Sequence, residues 1–288
     1  MRVLVSGSHG FIASALVPAL ERAGHTVGRI ERTGGGEQLD LSGLADADAV
    51  VHLAGAGIGD EKWTPDRKRL VLESRTKPTT QLAEAMAAAR EGGPKILVSG
   101  SAIGYYGDRG DEELTEDSGP GDQFLSQICQ AWEAATKPAE DAGVRVVRLR
   151  TGLVLAADGG MLKPLLTPFK LGLGGRIGTG KQWWSWVSID DEVGAIVHAL
   201  TNDSVQGALN ATAPNPVRQQ GFAKALAKAL HRPAFLPTPK FAISARLGPE
   251  AAQEMTFAGQ RVLPAKLQAT GYQFTDTDLG AALQRLLA

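Results

Sequence analysis

Short apolar runs recur through the first half of the chain, and each one ends at a turn that contains glycine or another small residue. Runs without regular polar alternation are typical of strands that are buried on both faces of a parallel sheet. They predict strands over residues 2–6, 25–30, 48–53, 94–99 and 144–149. Helical patterns lie between these strands, so the alternation predicts an α/β fold with a doubly wound parallel sheet.

Two of the helical patterns are long and cover residues 65–90 and 124–142. Proline lacks a backbone N–H and clashes with the preceding helical turn, so Pro78 is expected to bend or divide the first of them. The loop between them, residues 108–122, is acidic and rich in glycine. We therefore expect a surface loop there, with a lid as one of its roles.

The regular alternation ends after Thr151. A second glycine-rich stretch (171–180) leads into a tryptophan-rich one (183–186), which predicts a substantial buried contact. Asp190 or Asp191 is expected to cap the helix that follows. The tail from residue 241 should be mostly helical, with a packing stripe at these leucines: Leu279, Leu283, Leu286 and Leu287.

The predicted strand at residues 2–6 runs into a turn with small residues at Gly7, Gly10 and Ala13, three apart. Gly7 allows a turn that a Cβ would obstruct, and Gly10 lets backbone N–H groups approach a pyrophosphate. The N-terminus of the next helix then offers free N–H groups and a positive dipole end to the phosphates. An ordinary glycine-rich strand–helix turn is the alternative, but the position between strand and helix favours a dinucleotide.

The predicted second strand ends at Glu31 and Arg32. An acidic residue at this position hydrogen-bonds the ribose 2′-hydroxyl of NAD, whereas an arginine accommodates the 2′-phosphate of NADP. The alternative is a solvated charge pair. With the glycine turn beside it, Arg32 favours NADP, and NAD stays open as the alternative. Small residues at Ala54 and Gly55 suit close approach to a cofactor, although a plain turn uses them too.

Ser101, Tyr105 and Tyr106 follow the predicted fourth strand, at the sheet edge where ligands bind in open α/β folds. A hydroxyl there can hydrogen-bond a substrate oxygen, and a phenol can donate or accept a proton. These three residues are the candidate catalytic groups. A turn serine with two packing tyrosines is the alternative reading.

Composition narrows the partners and the compartment. A net charge of −1 argues against a nucleic-acid or membrane-surface partner that is held mainly by charge. The lone cysteine, Cys129, cannot form an internal disulfide and favours a reducing, cytoplasmic location. The five histidines show no metal-ligand spacing, and His52, in a predicted buried strand, is expected to be a satisfied core histidine. A homodimer is left open.

With these segments in place, the sequence resembles the extended short-chain dehydrogenase/reductase superfamily, and within it an atypical, epimerase-like family of the NAD-dependent epimerase/dehydratase type. The tail at 261–274 resembles the small C-terminal domain that is specific to this family. The resemblance covers nearly the whole chain and is carried by these segments: 6–13, 52–58, 99–110, 124–133, 148–155, 172–191 and 210–217.

The resemblance implies a Rossmann-type NAD(P)-binding core at residues 1–155 that returns at about 183–212. Residues 156–182 and 213–288 would then form a smaller, mostly helical substrate and C-terminal region. The implied cofactor-binding residues are Gly7, Ser8, Gly10, Phe11 and Ile12 at the phosphates, Arg32 at the 2′-phosphate, and Ala54 and Gly55 along the cofactor. Ser101 matches the active-site serine of the superfamily.

One departure from the superfamily concerns catalysis. Its members use a tyrosine and, four residues later, a lysine. The matching positions here are Phe124 with Ile128 or, one register on, Leu125 with Cys129. Neither pair can transfer a proton through a phenol assisted by an ammonium group. Two hypotheses follow: an NADP(H)-dependent oxidoreductase or epimerase acting on a small polar or nucleotide-linked substrate, and a non-catalytic NADP(H)-binding sensor or regulatory protein.

Overall fold

A computed structural model describes residues 1–33, 38–89 and 92–288. Its strands are β1 (Arg2–Ser6), β2 (Thr26–Ile30), β3 (Arg32–Thr33), β4 (Gln38–Leu39), β5 (Ala49–His52), β6 (Ile96–Ala102), β7 (Glu113–Leu114), β8 (Arg145–Thr151), β9 (Leu153–Ala156), β10 (Gly159–Gly160), β11 (Trp183–Trp184), β12 (Trp186–Ser188), β13 (Gly207–Ala211), β14 (Val217–Arg218) and β15 (Arg261–Val262). Its α-helices are α1 (Phe11–Arg22), α2 (Pro65–Ala89), α3 (Phe124–Ala134), α4 (Lys137–Asp141), α5 (Lys163–Lys170), α6 (Ile189–Thr201), α7 (Gln219–Ala229), α8 (Lys240–Leu247), α9 (Pro249–Ala252), α10 (Ala265–Ala269) and α11 (Leu279–Leu287).

Six parallel strands form the central sheet in the order β13-β8-β6-β5-β1-β2. The five predicted strands are all present in it. The predicted doubly wound parallel sheet is therefore confirmed. The chain leaves β1 toward β2 on one side and later returns to β5 on the other, so the strand order reverses between β1 and β5. Ligands of such sheets bind at this reversal, beyond the carboxyl ends of the strands.

Helices cover both faces of the sheet because successive side chains of each buried strand point to opposite sides. In β1, Val3 and Val5 join the core beneath α1 and α6, whereas Leu4 joins the core beneath α2. Burying one such aliphatic side chain contributes roughly 1.5–3 kcal/mol. A strand that is apolar at every position is therefore stable only where helices cover both faces of the sheet.

Two details of the helices differ from the predictions. Helix α2 runs unbroken through Pro78, which is buried on the packed face of the helix, so the proline does not divide it. Arg90, the predicted last residue of this helix, lies outside the described residues. The region 124–142 forms two helices, α3 and α4, with Ala135 and Thr136 between them.

A second core lies in the C-terminal half, where Trp184, Trp186 and Phe222 pack with α11. This confirms the predicted buried contact of the tryptophan-rich stretch. Of the predicted leucine stripe on α11, Leu279 and Leu283 are buried in this core, while Leu286 and Leu287 pack at its edge.

The expected aspartate cap of α6 is wrong. Ser188 is the N-cap, and its hydroxyl accepts a hydrogen bond from the backbone N–H of Asp191. The carboxylate of Asp191 instead accepts bonds from the backbone N–H groups of Thr275 and Asp276, at 2.8 and 2.9 Å, and from the hydroxyl of Tyr272. This buried carboxylate therefore ties the C-terminal tail to the central domain. Among the described residues, no helix is both long and apolar enough to cross a membrane.

Candidate functional site

A cleft of about 550 Å³ opens at the reversal of strand order. Three consecutive turns line it, those that follow β1, β2 and β5, and α2 closes one side with Leu70 and Ser74. The predicted cofactor-binding residues Gly7, Ser8, Gly10, Arg32, Ala54 and Gly55 all lie on this cleft. Residues from three separate segments of the sequence are thus brought to one edge of the sheet.

Gly7 and Gly10 are glycines for different reasons. Gly7 has a φ of +74°, and a Cβ there would lie 2.8 Å from the backbone nitrogen of Ala54, so the turn itself requires glycine. Gly10 has an ordinary extended backbone and is the N-cap of α1. No side chain among the described residues caps this helix end, which begins at the cleft with Gly10, so its first N–H groups have no side-chain acceptor. An anion at that position would satisfy them.

Phe11 and Ile12, the other two residues that the resemblance places at the phosphates, are not on the lining of the cleft. The ring of Phe11 packs on the β10 turn, where a Cβ on Gly159 would lie 2.2 Å from the ring. The side chain of Ile12 packs against the core beneath α1. The implied role of both residues as phosphate ligands stays a prediction, and it rests on their N–H groups.

Glu31 and Arg32 are both exposed at the end of the cleft. The hydroxyl of Ser8 donates to Glu31 over 3.4 Å. Arg32 also lines a neighbouring depression of about 440 Å³, together with Leu39, Leu70 and Lys77. The depression also contains Glu73, whose carboxylate pairs with Lys77 over 2.8 Å, so its lining carries charges of both signs.

Gly55 has a second neighbour that the sequence did not reveal. A Cβ on Gly55 would lie 3.1 Å from Cζ of Arg75, so the guanidinium packs directly against this glycine. We expected a small residue here only for the approach of a cofactor. The structure adds a second reason for a small residue, because the buried side chain of Arg75 packs against Gly55.

The two glycines generate a testable prediction. Gly10→Val should abolish cofactor binding without loss of the fold, because a branched side chain at the N-cap fills space that a pyrophosphate needs. Gly7→Ala is the contrasting variant. It should lower the free energy of unfolding by about 1–3 kcal/mol, because it forces alanine into a left-handed conformation against Ala54.

Nucleotide titration followed by intrinsic fluorescence measures the first effect, and urea denaturation measures the second. A folded Gly10→Val protein that keeps its cofactor affinity would place the phosphates elsewhere.

The three predicted catalytic hydroxyls lie around a buried ion pair. Arg150 donates two bonds to the carboxylate of Glu133, at 2.8 and 2.9 Å, and both side chains are almost fully buried. Ser101 donates to the same carboxylate over 2.7 Å. This hydroxyl is 4% exposed and points into the fold, not into the open position that we expected for a substrate contact.

Tyr106 is completely buried, which corrects its expected place in a substrate site. Its hydroxyl donates to Asn210 and accepts from Arg150, and burial raises the pKa of Tyr106 to about 12. Tyr105 is half-buried, and its ring centroid lies 3.5 Å from Cζ of Arg150. The catalytic role of these hydroxyls stays a prediction, but the geometry makes Tyr106 a partner of Arg150.

An apolar cavity of about 180 Å³ lies beyond the carboxyl ends of β6 and β8. Leu125 and Cys129, the second of the two pairs that match the superfamily's tyrosine and lysine, both line it, and so does Ile128 of the first pair. Burial and the nearby Glu133 raise the pKa of Cys129 to about 11. The thiol is therefore protonated at neutral pH and is a poor acid or base.

The C-terminal region closes this cavity with a short π-helical turn, residues 253–257, which the sequence pattern did not predict. Glu254 lies on this turn. Its two carboxylate oxygens accept bonds from the backbone N–H groups of Phe124 and Leu125, at 3.2 and 2.8 Å. The carboxylate thus caps α3, where the positive end of the helix dipole stabilises its charge.

Two buried ionisable side chains near the strand ends have unpaired atoms. His52 is fully buried as expected, but neither ring nitrogen has a hydrogen-bond partner in the described part of the chain, so it is not the satisfied core histidine that we predicted. Burial and the charge of Arg32 lower the pKa of His52 to about 4, so the ring is neutral. Glu192 accepts a bond from Thr151 at one oxygen, and no described residue donates to the other.

Glu192 generates a prediction about stability and pH. Burial raises the pKa of Glu192 from 4.5 to about 8. Between these values the folded protein keeps a proton that the unfolded chain has released, so stability falls as the pH rises. The slope from this residue is at most about 1.4 kcal/mol per pH unit. Glu192→Gln should remove this slope. Relative to the wild type, the variant should therefore gain more stability at pH 8 than at pH 5.

Urea denaturation of both proteins at several pH values measures this slope. Asp158→Asn, a substitution at an exposed acidic residue, is the control and should leave the slope unchanged. Equal slopes in the wild type and in Glu192→Gln would contradict the prediction.

Family models match most of the chain. The model of the NAD dependent epimerase/dehydratase family matches residues 3–211, and that of a domain of unknown function, DUF1731, matches residues 238–286. The chain belongs to the NAD-dependent epimerase/dehydratase family. The resemblance inferred from its motifs, including the family-specific C-terminal domain, is therefore confirmed.

Relatives in this family are similar over their whole length. The epimerase family protein of Mycobacterium leprae is 41% identical over 98% of this chain and 94% of its own. The human epimerase family protein SDR39U1 is 40% identical over the full length of both chains.

Solved structures of similar chains share the fold over the whole length of this chain. The crystal structure of human SDR39U1 with NADPH superposes with a TM-score of 0.92 at 38% identity, over 100% of this chain and 99% of that chain. A nucleoside-diphosphate sugar epimerase from Corynebacterium glutamicum gives a TM-score of 0.81 at 37% identity, over 100% of this chain and 58% of that one. UDP-glucuronic acid 4-epimerase from Bacillus cereus, with UDP-glucuronic acid and NAD, covers 100% of this chain and 98% of its own at 20% identity, with a TM-score of 0.79, and shares the fold.

Proposed function

We propose that the protein is an NADP(H)-dependent oxidoreductase that acts on a small polar substrate. The observation that carries this proposal is the cleft at the reversal of strand order, where the uncapped N-terminus of α1 meets Gly7 and Gly10. The NADPH in human SDR39U1, which is similar over the full chain, supports the choice of cofactor.

The positions of the lining residues suggest how the cofactor lies. The adenosine end fits at Arg32 and the neighbouring depression, and the pyrophosphate fits at the N-terminus of α1. The nicotinamide end would then reach toward the apolar cavity beyond β6 and β8. When bound, the cofactor supplies the hydride, and the residues of the chain orient the substrate and exclude water.

We predict that the protein binds NADPH more tightly than NADH. Arg32 can form a charge-assisted contact to the 2′-phosphate that is worth roughly 1.5–3 kcal/mol. Arg32→Ala should therefore weaken NADPH binding about ten- to hundredfold and leave NADH binding nearly unchanged. Arg69→Ala is the matched control, because this exposed arginine pairs with Asp66 on the surface of α2.

Fluorescence titration with both nucleotides provides the measurement. Equal affinities in the wild type would contradict the prediction and identify Glu31 as a residue that selects NAD.

Proton transfer is the open step of this proposal, because neither pair of residues that matches the superfamily's tyrosine and lysine, Phe124 with Ile128 or Leu125 with Cys129, can carry a proton through a phenol. Ser101 and Tyr105 are the remaining hydroxyl candidates near the ends of β6 and β8. Both touch the Arg150–Glu133 pair. We propose that one of them reaches the substrate when the cofactor is bound.

The hydroxyl candidates can be separated by substitution. A carbonyl-substrate screen that follows NADPH absorbance should first find turnover in the wild type. Ser101→Ala or Tyr105→Phe should then lower turnover by about 10²–10⁴-fold, with NADPH affinity almost unchanged. Tyr106→Phe should instead destabilise the fold, because it removes the buried hydroxyl that donates to Oδ1 of Asn210 and accepts from Nη1 of Arg150. Turnover that survives both Ser101→Ala and Tyr105→Phe would eliminate these hydroxyls as proton donors.

A non-catalytic NADP(H) sensor or regulatory protein is the second candidate. The observation in its favour is the lining of the cavity, in which the protonated Cys129 replaces an acid–base residue. A broad screen without turnover, together with a protein partner whose binding depends on NADPH, would favour this function.

A further inference from the structure

Large apolar side chains are exposed together on one surface of the C-terminal half. Seven such side chains are exposed among the described residues, and five of them lie on two segments, residues 170–178 and 232–241. Single exposed apolar residues are ordinary, whereas a contiguous group marks an interaction site. We call these five the exposed apolar patch: Leu171, Leu173, Phe235, Leu236 and Phe241.

The two segments that carry the patch are adjacent in the fold. The backbone N–H of Thr238 donates to the carbonyl of Arg176 over 2.8 Å. Near the other end, Nε of Arg232 donates to the carbonyl of Lys170 over 2.9 Å. Helix α8 begins at the end of the second segment, and none of its eight residues is buried. The patch is therefore one continuous surface that the described part of the chain leaves uncovered.

Positive charges surround this patch. Residues 159–189 and 204–249 contain ten lysines and arginines but no aspartate or glutamate. The whole chain has a net charge of −1, so the overall charge does not describe this surface. In the described ranges, no carboxylate pairs with the cations of the two segments. These cations are all exposed, and they are Lys170, Arg176, Arg232 and Lys240.

The acidic side chains that border the patch are engaged by other groups. Lys240 shares a cleft of about 390 Å³ with Asp108 and Asp111. Asp111 pairs with Arg218 over 2.7 Å, and Asp108 accepts a bond from a backbone N–H over 3.1 Å. Glu250, which follows α8, pairs with a lysine of α2. The positive charge of the two segments is therefore available to a partner.

A second copy of this chain is a poor partner for the patch. In a symmetric dimer the same surface of both subunits meets. The exposed cations of one subunit would then face those of the other, and like charges opposed across an interface are strongly unfavourable. The partner must therefore bring negative charge.

The shape and charge of the patch favour a lipid surface over an acidic protein. Phe235 and Phe241 are 84% and 75% exposed, so they project from the fold and do not line a pocket. Protein interfaces use charges of both signs to fix the register of the partners. An anionic membrane presents one sign and attracts nearby lysines and arginines. Apolar side chains beside cations are typical of elements that lie in the membrane interface.

We infer that the exposed apolar patch docks the protein on the surface of a membrane that contains anionic lipids. The five apolar side chains would insert between the headgroups, and the four cations of the two segments would contact the lipid phosphates. Helix α8 would then lie along the membrane surface, with Phe241 toward the acyl chains. This binding would be peripheral and reversible, and it depends neither on the cofactor nor on turnover.

Co-sedimentation of the complete protein with vesicles tests this inference. One set of vesicles contains phosphatidylcholine alone, and the other contains phosphatidylcholine mixed with phosphatidylglycerol. The protein should bind the mixed vesicles about tenfold or more tightly than the neutral ones, because the cations contribute only at an anionic surface. Added salt should weaken this binding, because it screens the exposed charges.

Substitution of the two phenylalanines tests insertion. Phe235→Ser combined with Phe241→Ser should weaken binding to the mixed vesicles about a hundredfold, because neither side chain then gains apolar burial in the lipid. Leucine at both positions should restore most of the affinity. Both side chains are exposed, so the free energy of unfolding should not change, and urea denaturation checks this.

Substitution of two cations tests the electrostatic part. Lys170→Gln combined with Arg232→Gln should weaken binding to the mixed vesicles about tenfold and leave binding to the neutral vesicles unchanged. Arg69→Gln combined with Lys137→Gln is the matched control. It removes two exposed cations from α2 and α4 and should leave both affinities unchanged.

The outcomes decide between the possible partners. Binding to the mixed vesicles that requires both the phenylalanines and the cations supports the inference. Failure to bind these vesicles refutes it, and so does binding that survives the phenylalanine substitutions. Polyglutamate and polyuridylate are the remaining probes. If either one binds through the patch while the vesicles do not, the partner is an acidic protein or a nucleic acid, and the inference is equally refuted.

Discussion

The ion pair between Glu133 and Arg150 is the interaction on which the carboxyl end of the sheet depends. Either charge alone would be strongly unfavourable in so buried a position, so the two must be present together. The pair joins α3 to β8, and through the hydroxyls of Ser101 and Tyr106 it reaches β6 and Asn210 on β13. Three neighbouring strand ends and one helix are thus held in a single arrangement.

This hydrogen-bond network also determines which side chains near the strand ends are available to a ligand. It engages the hydroxyls of Ser101 and Tyr106, both of which look free in the sequence. It leaves the neighbouring cavity with mostly apolar walls and with the buried side chain of Arg75 on its lining. The acid–base chemistry of the superfamily is absent from its usual positions on α3, while a charged group stands on α2.

The sequence predicted the sheet and the phosphate turn well because both depend on local patterns. An apolar run such as residues 2–6 is stable only as a strand that is buried on both faces. The spacing of Gly7 and Gly10 is typical of the turn that binds a dinucleotide. Sequence patterns did not reveal the roles of Arg75, Glu133 and Glu254. In the sequence these three look like ordinary polar residues of helices or of the tail. Their roles depend on contacts with residues that are distant in the sequence. The periodicity of apolar positions carries no information about such contacts. The same reason explains the incorrect cap at Asp191, whose partners lie more than eighty residues later.

The C-terminal region completes the cavity and does more than cover it. Glu254 caps α3, the helix that carries Leu125, Cys129, Trp132 and Glu133. Ser185 and Val262 exchange a further hydrogen bond between the end of the central domain and this region. Because the cap fixes the start of α3, the position of the cavity wall depends on residues 253–257. A region whose removal would open the cavity and uncap that helix is part of the candidate site, so the central sheet and the C-terminal region form this site together.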